Sequence, residues 1–153
     1  MRQKLKFADD TILKWVVICL FFGPITFQAQ MEEKFIGEVR SMNVVEAECT
    51  LNDGRYKIRF RDARKKRFPK YKSFHFPDED NNFDKLKNLV FEGFESVPDE
   101  TRILEFAEEK VEIQFTKSAG LVSFRFAILE GKKNKRTFSS WFVKGKAEKI
   151  FGL

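Results

Sequence analysis

The stretch Val44-Val45-Glu46-Ala47-Glu48-Cys49-Thr50-Leu51-Asn52-Asp53-Gly54-Arg55-Tyr56-Lys57-Ile58-Arg59-Phe60-Arg61-Asp62 decides the fold. Asp53-Gly54 is a favoured two-residue hairpin turn, and period-2 alternation runs outward from it on both sides. If Asn52 pairs with Arg55, then Leu51 meets Tyr56, Cys49 meets Ile58 and Ala47 meets Phe60 on one face. On the other face Thr50 meets Lys57, Glu48 meets Arg59 and Glu46 meets Arg61, so opposite charges lie across from each other. A slip of one residue would destroy both patterns at once.

Working outward, Val111, Ile113 and Phe115 alternate on one strand, and Val122, Phe124, Phe126 and Ile128 on the next. Facing the two sets requires an even loop, Ala119-Gly120 or Ser118 through Leu121, and pairs Phe115 with Phe124 and Ile113 with Phe126. Leu104 and Phe106 add a preceding antiparallel strand, and Phe35 to Val39 and Tyr71 to Phe76 are shorter strands. Phe83, Leu86, Leu89, Val90 and Phe94 share one face at helical spacing, with Asp78, Asp80 or Asn82 as cap. A last helix runs from about Lys144 to Phe151, burying Ala147, Ile150 and Phe151 and ending at Gly152. The nineteen Phe of the chain are expected mainly in the core. The resulting expectation is a single α+β domain over residues 30–153, an antiparallel sheet built from hairpins with two helices on one face. Ser73-Phe74-His75-Phe76 and Ser123-Phe124-Arg125-Phe126 hint at a duplicated strands-then-helix unit, but four residues are more simply a chance match.

Residues 1–29 have the order of a signal peptide. Arg2, Lys4, Lys6 and Lys14 precede the apolar run Trp15 to Phe22, which Gly23 and Pro24 break before Ala29. A membrane span needs about 20 apolar residues, more than this run supplies, so a secreted or periplasmic product cleaved after Ala29 is expected. Ile18 before Cys19 and the apolar residues after it leave no lipid-attachment box. The mature chain then keeps one cysteine, Cys49, which forms no internal disulfide and is expected to be buried as a small hydrophobe.

Tyr71-Lys72-Ser73-Phe74, the helix start Phe83-Asp84-Lys85-Leu86 and the ending Lys149-Ile150-Phe151-Gly152 together resemble a group of small exported proteins of unknown function from Bacteroidota-type bacteria. Those chains have a signal peptide, a YKSF-like strand, an aromatic-rich hairpin and a closing helix of the form T-x-K-Q-x-x-K-L-F-G. The resemblance covers residues 44–152 in outline and implies export and kinship of fold, without an activity. Val143 stands where that group has a capping Thr, and Gly145 weakens the first turn of the closing helix.

No catalytic constellation is legible. The lone histidine, His75, alternates with Phe74 and Phe76 and so points to the face opposite them, more as a surface residue than a catalyst. One histidine and one mature cysteine give no zinc spacing. Asp78-Glu79-Asp80-Asn81-Asn82 clusters oxygen ligands, but a calcium loop starting at Asp78 needs Gly at position six and Glu at twelve, where Phe83 and Leu89 stand. These are turn and cap residues. Phosphate-loop, nucleophile-elbow and dinucleotide motifs are absent from the sequence, so no cofactor, metal or catalytic residue is assigned.

Charge is the distinctive feature of a chain with net charge +6. Ten Lys or Arg and a single acid, Asp62, fall between Arg55 and Lys72. Cross-strand pairing neutralises Arg59 and Arg61, leaving Arg64, Lys65, Lys66, Arg67, Lys70 and Lys72 as the candidate contact for an anionic partner. Phe68 and Tyr71 interleave them, an arrangement that also suits nucleic acid, but an exported protein meets lipid head groups, lipopolysaccharide or acidic glycans first. The bland alternative is a solvated connecting loop. The functional expectation is a non-catalytic binding module. Its alternative is an enzyme or inhibitor-like accessory protein with a carboxylate and lysine site that sequence does not assemble.

Overall fold

A computed structural model describes residues 33–65, 67–98, 101–106, 109–130 and 135–153. The signal segment expected over residues 1–29 lies outside these. Along the chain run β1 (Lys34–Ser41), β2 (Val44–Asn52), β3 (Arg55–Arg61), β4 (Tyr71–Pro77), α1 (Asn82–Glu95), β5 (Arg102–Glu105), β6 (Lys110–Ser118), β7 (Leu121–Glu130), β8 (Lys135–Phe138), β9 (Phe142–Val143) and α2 (Lys144–Ile150). The class is α+β, in one domain, with every described strand pair antiparallel.

The β2–β3 register is the one the charge and apolar patterns require: Ala47 opposite Phe60, Glu48 opposite Arg59, Cys49 opposite Ile58 and Asn52 opposite Arg55. Asp53 and Gly54 turn with φ of 52° and 64°, the left-handed pair that lets a two-residue loop follow the strand twist. In the second hairpin Phe115 faces Phe124, Ile113 faces Phe126 and Ser118 faces Leu121. Of the two loops left open, Ala119-Gly120 forms the turn. Leu104 of β5 lies opposite Val111.

The strands form two sheets where the sequence suggested one. The first has the order β1-β2-β3-β4; the second has β5-β6-β7-β8, with β9 pairing to β7 beyond β8. The 14-residue α1 advances the chain by about 20 Å, so β5 begins a new sheet instead of extending the edge of β4. At that edge a carboxylate replaces a neighbouring strand: Glu109 Oε2 accepts the backbone N–H of His75 at 3.1 Å. The Phe76 and Phe106 rings stack at 4.6 Å beside it.

The inner faces of both sheets meet in one aromatic core, with Phe126 5.4 Å from Phe74 and 6.3 Å from Phe60 between ring centroids. Phe60, Phe74, Phe76, Phe124, Phe126 and Phe142 are wholly buried, as the Phe-rich alternation implied. The α1 face of Leu86 and Val90 is buried, with Phe83, Leu89 and Phe94 packed partly against the core. Its start is not capped as expected. Asn81 holds the cap position with φ of 56° and makes no side-chain capping bond, while a backbone turn from Asn82 N–H to Glu79 O, 2.9 Å, shapes the entry instead. At the other end of the chain, Gly152 with φ of 72° and the bonds Phe151 N–H to Ala147 O and Leu153 N–H to Glu148 O close α2 as a left-handed cap. Here α2 lies so close to β1 that a Cβ on Gly37 would sit 2.0 Å from Lys149 O.

The two similar tetrapeptides do not mark a repeat in register, because Ser73–Phe76 lies on the fourth strand of its sheet and Ser123–Phe126 on the third of the other.

Candidate functional site

The basic connection between β3 and β4 is pinned at its ends. Asp62 N–H donates to Lys70 O at 2.8 Å, Lys65 N–H to Asp62 O at 3.0 Å, and Ala63 N–H to Phe138 O of β8 at 2.9 Å. The Asp62 carboxylate is 3% exposed. Arg64 grips it through Nε to Oδ1 and a terminal nitrogen to Oδ2, both 3.1 Å, and its backbone N–H adds a bond to Oδ1 at 3.0 Å. Burial alone would raise the Asp62 pKa, but the Arg64 fork and N–H outweigh it and hold the carboxyl below its ordinary value. The same guanidinium donates to Thr137 Oγ1 at 2.7 Å, tying the segment to the second sheet. Arg64 is thus a structural link between the sheets.

The remaining candidates separate. Lys65, Arg67 and Lys70 are exposed, with Phe68 among them 71% exposed and the Arg67 guanidinium 5.7 Å over its ring. Lys66 lies outside the described residues. Lys72 sits opposite Phe60 on β4 and is half-buried. Lys65, Arg67 and Lys70 thus stand exposed, with an aromatic ring, on the anchored segment that Arg64 ties down.

Arg59 and Arg61 are held by acids. Arg59 donates to Glu48 at 2.5 and 2.9 Å with the Tyr71 ring 4.5 Å away, and Arg61 donates to Glu46 at 3.0 Å. The second oxygen of Glu46 accepts the Ser140 hydroxyl at 2.8 Å. His75 lies on the face away from Phe74 and Phe76, its Nδ1 3.4 Å from Glu109 Oε1. Cys49 is buried, and desolvation pushes its thiol pKa up to about 12. Among the described residues no cluster of three or more His, Cys, Asp or Glu is placed to hold a metal ion.

A second feature was not legible in the sequence. On the outer face of the second sheet a cavity of about 350 Å³ is lined by Pro98, Thr101, Gln114, Thr116, Arg125 and Trp141 among others. Arg125 lies 4.1 Å from the Phe138 ring and 4.4 Å from the Trp141 ring, and its Nε donates to Gln114 Oε1 at 2.9 Å. Desolvation lowers its pKa from the ordinary value. Strand alternation places Arg125 and Gln114 on this face, and Phe138 is the last residue of β8, but Trp141 comes from the irregular passage between β8 and β9, where no spacing rule applies. Comparisons with protein-family models, with curated proteins and with solved structures find no match to this chain.

Proposed function

We propose that this chain is an exported, non-catalytic binding module that contacts an anionic component of the cell envelope through the segment between β3 and β4. The observation that carries the reading is Phe68, 71% exposed and set among the exposed Lys65, Arg67 and Lys70. An exposed ring between cations suits a surface that offers negative charge and apolar or stacking area together, whether a lipid head-group layer, lipopolysaccharide or an acidic glycan. The anchoring of both ends by Asp62, Lys70 and Phe138 backbone groups reduces the ordering cost of contact. Arg64, bound to Asp62 and Thr137, serves the anchoring of that segment. The order of residues 1–29 and the resemblance to small exported proteins support the compartment.

The test of the contact is salt-dependent retention on immobilised lipopolysaccharide and heparin. The parent protein should be retained and should elute as salt rises, because each neutralised anion releases counterions. The variant K65E/R67E/K70E should run through with its melting temperature unchanged. Elution of the parent near physiological ionic strength, no later than the variant, would overturn the reading. Export is tested separately by intact mass: the product from the envelope or medium should lack residues 1–29, and a cytoplasmic product retaining Met1 would refute it.

A further inference from the structure

Arg125 of β7 is a cation that the basic segment does not use. It stands directly opposite Gln114 of β6, and it receives a neutral amide where its sheet neighbours receive charges. The Gln114 amide nitrogen donates to Glu112 Oε2 at 3.2 Å, and the other oxygen of Glu112 accepts Arg136 at 3.2 Å. Glu112, 5% exposed at its side chain, is therefore already paired, and Gln114 acts as a spacer between it and Arg125. No ion pair involves Arg125 among the described residues. Its Nε is used by Gln114, and the Phe138 and Trp141 rings lie within stacking distance of the guanidinium. This leaves the two terminal nitrogens as a rigid donor fork at the wall of the cavity.

We infer that this cavity is a binding site for a carboxylated sugar, with Arg125 as the carboxylate-recognising residue. A planar fork matches two carboxylate oxygens, and partial removal from water strengthens that contact. One guanidinium, with no lysine on the lining, balances a monoanion and leaves a phosphate dianion under-neutralised. The Thr101 and Thr116 side chains offer hydroxyls to a polyhydroxylated body, and Pro98 with Trp141, 41% exposed, offers apolar walls to its C–H surface. A volume of about 350 Å³ lies at the small end of ligand sites and suits a single uronic acid unit. None of Lys65, Arg67, Phe68 or Lys70 lines the cavity, so this site stands independently of the basic segment.

The test is titration of the full chain carrying Trp15→Phe, which leaves Trp141 as its one indole. Fluorescence is followed with glucuronate, galacturonate, glucose and inorganic phosphate. A saturable response to at least one uronate, with glucose and phosphate weaker, is expected. Arg125→Lys keeps the charge but loses the fork and should weaken binding by about tenfold or more. Gln114→Glu supplies an internal carboxylate to Arg125 and should weaken it comparably. Both variants are checked by thermal melting, and a variant that does not fold is replaced by the other. Absence of a saturable uronate response overturns the inference. So does unchanged binding in a folded Arg125→Lys or Gln114→Glu protein, and so does binding of glucose or phosphate as tight as that of the uronates.

Discussion

Replacing Arg64 with Met retains the aliphatic stem and removes three side-chain hydrogen bonds, two to Asp62 at 3.1 Å and one to Thr137 at 2.7 Å. The Asp62 carboxylate, 3% exposed, keeps the Arg64 backbone N–H but loses its cation. Breaking a buried pair from one side costs about 3–5 kcal/mol. The Arg64 side chain is 37% exposed, so solvent screening reduces the expected loss to about 2–3 kcal/mol at pH 7. In urea that corresponds to a midpoint lower by about 1–2 M. The loss should depend on pH with a defined sign. In the parent, the Asp62 pKa is depressed in the folded state, so its stabilisation is complete above the unfolded carboxylate pKa of about 4 and fades as pH falls through the folded value. In the variant, burial without the fork raises the same pKa, so the penalty is largest at neutral pH and is relieved as the carboxyl protonates. The gap between the two proteins should therefore narrow to about 1 kcal/mol or less near pH 3. Urea unfolding followed by far-UV circular dichroism at pH 7, 5 and 3 measures it. A loss below about 0.5 kcal/mol at pH 7, or a gap that widens on acidification, would refute the account of Arg64 as a structural link.

Gly37→Ala should destabilise by about 2 kcal/mol or more, because the new Cβ would lie 2.0 Å from the Lys149 carbonyl oxygen and backbone does not yield as a side chain does; thermal melting tests it, and an unchanged midpoint would show that α2 is not seated as described. Gly54→Val, at φ of 64° with open space around the site, should cost about 1 kcal/mol or more from backbone strain alone, and Gly54→Asn should cost less; equal stability of all three proteins would contradict the left-handed turn. Cys49, buried with a thiol pKa near 12, should resist alkylation at pH 8 in the native protein and react promptly in denaturant, as mass spectrometry can follow.

Much of the local architecture was legible because adjacent antiparallel strands carry their register in sequence. Glu46, Glu48, Arg59 and Arg61 alternate with Ala47, Cys49, Ile58 and Phe60, and only one alignment satisfies the charges and the apolar residues together. The same logic located the Phe115 to Phe124 pairing, the buried face of α1 and the glycine that ends α2. Helix entry was less legible: several oxygen-bearing residues precede α1, any of which suits a cap, and the backbone turn at Glu79 to Asn82 uses none of their side chains.

What only the tertiary structure decided is the grouping of these pieces. A strand's sequence records the partner beside it in a hairpin, but it does not record whether a helix will carry the chain onward to a second sheet, as α1 does here. Charge behaves likewise. Six cations in one stretch look equivalent along the chain, yet the packing of β8 against the β3–β4 connection assigns Arg64 to Asp62 and Thr137 and leaves Lys65, Arg67 and Lys70 exposed. Arg125 is the sharper case, since Phe138 reaches it from the end of β8 and Trp141 is brought to it by the bend between β8 and β9. Sequence determined the side of the strand on which that cation lies; non-local packing determined its surroundings, because pairing rules reach only across a ladder and cavities are made where ladders end.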